Sequence, residues 1–173
     1  MKIVIIKSLL LLLLIGSFSY SAEAQARRKA EKETIQWRYE IMCAGVGAQG
    51  TYLVKVWSYS RKPVVALEQA KKNAVHGVIF KGFMGQGCSA QKPLVRNSNL
   101  ETEKAEFFKR FFKDGGEYMK FVTASNEGHI SAGDVTKISK REYKVGVIVS
   151  VQKDLLRKKL EAEGIIKGLA AGF

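Results

Sequence analysis

Between Thr51 and Lys81 the hydrophobic pattern changes period once, and that change restricts the fold more than any other feature of the chain. Thr51 to Ser60 (TYLVKVWSYS) is β-branched and aromatic with Lys55 as its only charge, the composition of a strand on a pleated surface. Arg61-Lys62 forms a polar turn. Pro63, with a fixed φ and no N–H to leave unpaired, suits the first turn of a helix. On a wheel of about 100° per residue, Pro63 to Lys81 gathers Val64, Leu67, Ala70, Ala74, Val75 and Val78 on one arc. The opposite arc holds Gln69, Lys72, Asn73 and His76, which are expected to be solvated. Ala66, Ala70, Ala74 and Gly77 flank the apolar arc, and residues this small let a helix lie close on a sheet.

Upstream, Thr34 to Cys43 alternates Trp37, Tyr39, Ile41 and Cys43 with Gln36, Arg38 and Glu40, the pattern of a half-buried strand. If Cys43 faces Thr51 across the AGVGAQG connection, Trp37 lies opposite Trp57 and Ile41 opposite Leu53, giving one aromatic-rich face. Gly45, Gly47 and Gly50 spell G-x-G-x-x-G. They join a strand to a strand, so the helix N-terminus that would hold a dinucleotide pyrophosphate is missing. They read as turn glycines, and no cofactor is expected.

Gly82 to Asn97 (GFMGQGCSAQKPLVRN) is a long glycine-rich connection, and long irregular connections are often functional. Phe83, Met84, Gln86, Lys92 and Arg96 are its candidate binding residues. Ser98-Asn99-Leu100-Glu101 fits a capping box for a helix running to Gly115-Gly116, with Phe107, Phe108, Phe111 and Phe112 on a broad apolar face. Glu117 to Ser125 reads as a third strand and Asn126 to Arg141 as a polar loop containing His129. Tyr143 to Val151 alternates clearly, and Leu155, Leu156 and Leu160 mark a last helix stopped at Gly164. The expected fold is α+β: a small, mainly antiparallel sheet of about four strands, in the order β-β-α-α-β-β-α, with helices packed on one face.

Residues 1–24 place Lys2 and Lys7 around an apolar run from Ser8 to Ile15, followed by Ala22-Glu23-Ala24, the form of a secretory signal peptide. Residues 25–33 then form a polar lead-in, 34–163 one domain of ordinary size and 164–173 an apolar tail. Periplasmic or secreted localisation follows, with no transmembrane span after cleavage. The formal charge of +13 falls only to about +12 without the leader, so acidic envelope proteins or anionic envelope surfaces are favoured encounters and nucleic acid is not expected. Oligomeric state is not legible.

Two cysteines in an exported chain point to a Cys43–Cys88 disulfide, with two buried thiols as the alternative. A minor hydrolase reading places a nucleophile at Cys88 and a base at His129. Two distant histidines and two distant cysteines have no metal-ligand spacing, so no metal is expected.

The element order, with ALEQAKKNAVHGVIFKG as its central helix, resembles small α/β modules of bacterial envelope proteins: the TolB amino-terminal domain and the amino-terminal domains of flagellar-assembly and curli-secretion lipoproteins. The resemblance spans roughly Thr34 to Gln152 and implies an assembly or binding part without catalytic residues. The chain departs from the lipoprotein members in lacking an acylated cysteine at the leader boundary, the first cysteine being Cys43. The resulting expectation is a non-catalytic exported module that binds another envelope component through residues 82–97 and a basic surface.

Overall fold

The computed structural model describes residues 24–34, 36–85, 88–125 and 130–168. The leader assigned to residues 1–24, except Ala24, lies outside these residues, as do Gln86, His129 and the end of the apolar tail.

The fold is α+β. Strands β1 (Tyr39–Gly45), β2 (Tyr52–Ser60), β5 (Val122–Ala124), β6 (Val135–Ser139) and β7 (Glu142–Val151) form a five-stranded antiparallel sheet. β2 pairs with β7 along its whole length. The other edge of β7 is shared, β6 pairing with its first half and β5 with its last. A separate hairpin, β3 (Phe83–Gly85) and β4 (Cys88–Gln91), occupies the first part of the expected loop. Helices are α1 (residues 24–33), α2 (Pro63–His76), α3 (Leu100–Glu103), α4 (Ala105–Phe112) and α5 (Lys153–Ala162).

Period-2 alternation sets the two faces of the sheet. Val54, Val56 and Ser58 of β2 and Val145, Val147, Val149 and Val151 of β7 are buried beneath the helices. Burying each of these valines gains roughly 1.5–3 kcal/mol relative to leaving it exposed. α2 lies on this layer through Ala66, Ala70 and Ala74, all fully buried. At Gly77 an added Cβ would stand 2.7 Å from Ile41 Cδ1, so the close approach needs glycine. The other face carries Lys55, Trp57, Tyr59 and Lys144 and is half exposed.

Several sequence expectations are corrected. Cys43 pairs with Val54, Ile41 with Val56 and Glu40 with Trp57, three residues away from the expected register, because the connection takes up residues as far as Thr51 and a bulge interrupts Cys43–Gly45. Trp37 therefore precedes the strand, with φ 46°, and turns to the helical side while Trp57 stays on the open side. Glu117–Phe121 is a 3-10 turn rather than strand, leaving only Val122–Ala124 to pair. Part of the polar loop, Val135–Ser139, supplies the extra strand β6. The Ser98 capping box does not form. Asn99 precedes α3 without a side-chain cap, and Glu101 is engaged elsewhere.

The arc expected to be solvated on α2 is buried. Gln69, Lys72, Asn73 and His76 are each at most 7% exposed. Their cover comes from α1, whose Ala26 and Ala30 pack on Val65, and from α4, whose Phe108, Phe111 and Phe112 join the main core. Asn73 Nδ2 donates to Ser58 Oγ at 2.9 Å, and Glu33 of α1 accepts from Ser60 Oγ at 2.7 Å and from Gln69 Nε2 at 3.3 Å. Partners on α1 and β2 thus satisfy part of this buried polar arc, while Lys72 has no hydrogen-bond or ion-pair partner among the described residues.

Candidate binding groove

After His76, α2 continues directly into a wider π turn, Gly77–Lys81. Such a turn displaces carbonyls from the regular ladder and is a common functional irregularity. Val78 O accepts from Leu94 N at 3.1 Å and Ile79 O from Val95 N at 2.9 Å, which ties the segment after β4 to this turn. Val95 is buried by this docking, while Lys92 and Arg96 point outward.

Opposite this segment stands the C-terminal part of the chain. Asp154 N donates to Gly50 O at 3.1 Å, fixing the start of α5 against the β1–β2 connection. After α5 the chain turns at Gly164 and buries Ile165. Between the two walls runs a groove of about 1140 Å³. Leu94, Pro93, Leu100 and Ile166 form its apolar surfaces, and Tyr52 closes one end. The Tyr52 hydroxyl donates to Gln91 Oε1 at 2.7 Å, and its ring meets Phe83 edge-on at 5.0 Å.

The charges in the groove are one-sided. Lys92, Arg96, Lys153, Arg157 and Lys167 line it against one carboxylate, Asp154. Lys153 sits 3.2 Å from Asp154 and Arg157 2.8 Å from Glu161. Lys92, Arg96 and Lys167 form no ion pair among the described residues. Cations facing each other across low-dielectric walls concentrate a positive potential that a bound anion would relieve.

Of the residues anticipated for binding, Lys92 and Arg96 line this groove. Phe83 is a core residue against Tyr52 and lies outside the groove; Met84 is 71% exposed and also outside it. Gln86 lies outside the described residues. Lys153, Arg157 and Lys167 were not anticipated, because only the return of α5 beside residues 92–97 brings them to the site.

The second chemically dense region surrounds His76. Its Nδ1 lies 2.7 Å from the Tyr39 hydroxyl and its Nε2 3.0 Å from Glu101 Oε1. An ionised carboxylate only accepts, so Nε2 carries the proton and Nδ1 accepts from Tyr39. Trp37 stacks on the imidazole, centroids 3.7 Å apart. Burial pushes the His76 pKa down and the Tyr39 pKa up, while the bond from His76 holds Glu101 below the usual carboxylate range. Both imidazole nitrogens are occupied, leaving none for a metal or a substrate.

Cys43 and Cys88 are joined in a disulfide with Cα atoms 6.4 Å apart, fastening the β3–β4 hairpin to β1. A bridged sulfur carries no thiolate, so the hydrolase expectation finds no nucleophile at Cys88 while the bridge is closed. Among the described residues no three His, Cys, Asp or Glu side chains converge as a metal site, and no helix is long and apolar enough to cross a membrane. Compared with known proteins, the chain matches no family model, no curated protein and no solved structure.

Proposed function

We propose that this protein is an exported, non-catalytic binding module of the cell envelope that holds an acidic segment of another envelope protein in the groove between residues 92–97 and α5. The observation that carries the reading is the charge imbalance of the groove, five cations against one carboxylate around an apolar floor. An acidic peptide with apolar side chains satisfies both surfaces. The signal-like leader and the overall charge of +13 support an envelope setting, where acidic proteins meet a basic surface at raised encounter rates. The resemblance to envelope assembly modules points in the same direction.

The test compares native protein with K92E/R96E as bait in envelope extracts, followed by binding of the captured component in purified form at rising salt. Both side chains are exposed, so the pair changes charge without removing core. The reading requires that a directly binding protein be lost with the double variant and weakened by salt. Equal capture by both baits rejects the groove. Retention of native protein on anionic phospholipid vesicles, with no protein partner captured, transfers the groove to a membrane surface.

A further inference from the structure

A second cavity, of about 330 Å³, opens where α1, α2, α3 and α4 meet. Its walls are Trp37, Phe108 and Phe112, and its rim carries Glu31, Glu101 and Lys109. Lys72 reaches into it from the middle of α2. The residue is 7% exposed, yet it makes no hydrogen bond and no ion pair among the described residues. Its ammonium position lies 5.6 Å from the centre of the Trp37 indole.

An unpaired amine in so buried a place is costly as an ammonium and far less so as a free base. Burial pushes the Lys72 pKa down, opposed by the more distant carboxylates of Glu31 and Asp114. Desolvation raises the unprotonated share of this amine, and a lysine amine facing an apolar, half-open cavity is placed to act as a nucleophile toward carbonyl compounds. The rim carboxylates decide the charge of the ligand. Glu31 from α1 and Glu101 from α3 repel a carboxylate and outnumber Lys109, the rim's one cation, so a neutral compound enters at lower cost.

We propose that Lys72 captures a small, uncharged, preferably aromatic aldehyde in this cavity as an imine. The amine lone pair attacks the carbonyl carbon to give a carbinolamine. Loss of water then leaves a C=N bond, the carbonyl oxygen departing with the two protons that the amine nitrogen has given up. No electrons are exchanged with an outside partner. The aromatic walls stack on the ring of the aldehyde, and the stacked Trp37–His76 pair keeps one wall rigid.

The folded protein is incubated near neutral pH with about one equivalent of benzaldehyde and cyanoborohydride, which reduces the imine to a stable amine, and the label is located by peptide mapping. The expected result is one label per chain, in the peptide containing Lys72, and its loss in K72R. A tenfold excess of benzoate should leave labelling unchanged. Label spread over exposed Lys62, Lys104 and Lys113 with Lys72 spared overturns the proposal, since that is the order burial alone dictates. Selective labelling of Lys72 that persists after unfolding in urea also overturns it, because it would then owe nothing to the cavity. Should K72R fail to fold, F108A serves as the second variant: it removes one aromatic wall, and unchanged Lys72 labelling in it counts against the cavity.

Discussion

The carboxylate of Glu101 accepts a hydrogen bond from His76 Nε2 at 3.0 Å, joining the first turn after the long connection to the end of the central helix. Because burial holds the His76 pKa below its ordinary value, the folded chain binds fewer protons than the unfolded chain once the pH falls under about 6.5. Stability is therefore present above that pH and is lost progressively on acidification toward the folded pKa. Glu101, held low by the same bond, contributes stability above the ordinary carboxylate range that is lost only at more acid pH. Urea midpoints at pH 8 and pH 5.5 should differ in native protein, and the difference should shrink in H76Q. Equal midpoints in native protein would rule out a buried neutral imidazole. H76A should also cost about 3 kcal/mol at pH 8, through the lost stack under Trp37 and an unpaired Tyr39 hydroxyl.

The Cys43–Cys88 bridge closes a separation of 45 residues containing β2, α2 and β3. Chain-entropy reasoning for a loop of that length gives about 4 kcal/mol of stabilisation, taken from the unfolded state. C43S/C88S should fold with a lowered thermal midpoint and a hairpin that exchanges its amide hydrogens faster, whereas the sheet pairing of β2 with β7 should persist. Unchanged stability in reductant would mean that the hairpin holds without the bridge.

Gly82 leaves the π turn at φ 68°, and a Cβ there would stand 2.3 Å from the carbonyl oxygen of Gln91. Both the conformation and the contact exclude a side chain, and the obstacle is backbone, which cannot swing aside. G82A should destabilise by about 2–3 kcal/mol and weaken binding in the groove, whose wall begins one residue after Gln91. Hydrogen exchange at Leu94 and Val95 reads the detachment directly, and protection equal to native at both amides would refute it.

The fold was legible where a pattern is local. Thr51–Ser60 has the composition of a strand, Tyr143–Val151 alternates with period 2, the two pair with each other, and Pro63 starts the helix as its fixed φ requires. What the sequence concealed depends on the third dimension. The polar arc of α2 reads as solvated because a helical wheel contains no record of α1 and α4, which cover it. The strand register slipped because turn length, not side-chain pairing, sets it in a connection rich in glycine. The groove was half visible: Lys92 and Arg96 stand in a connection whose length marked it, but Lys153, Arg157 and Lys167 come from the last helix and the segment after it. Glu101 was read as a capping residue, and its capture by His76 is a long-range preference that no spacing rule encodes.

On the open face of the sheet, Trp57 pairs with Gly146 of β7, and its ring covers the glycine. A Cβ added at Gly146 would lie 2.8 Å from Trp57 Cζ3 and 3.0 Å from Lys55 Cε. Alanine in mid-strand ordinarily gains roughly 0.5–1 kcal/mol over glycine, by losing less conformational freedom on folding. Here the gain is opposed by a rigid indole that can escape only by leaving its rotamer, at a cost of order 0.5–1.5 kcal/mol, and by loss of the Lys55 and Lys144 ammonium contacts at 4.8 and 5.2 Å. The contact losses outweigh the backbone gain, so G146A should lower stability by about 1 kcal/mol and shift the tryptophan emission to the red as the ring lifts into water. W57A removes the obstacle, and in that background G146A should become stabilising. A destabilising G146A in both backgrounds would place the cost in the strand and not in the ring.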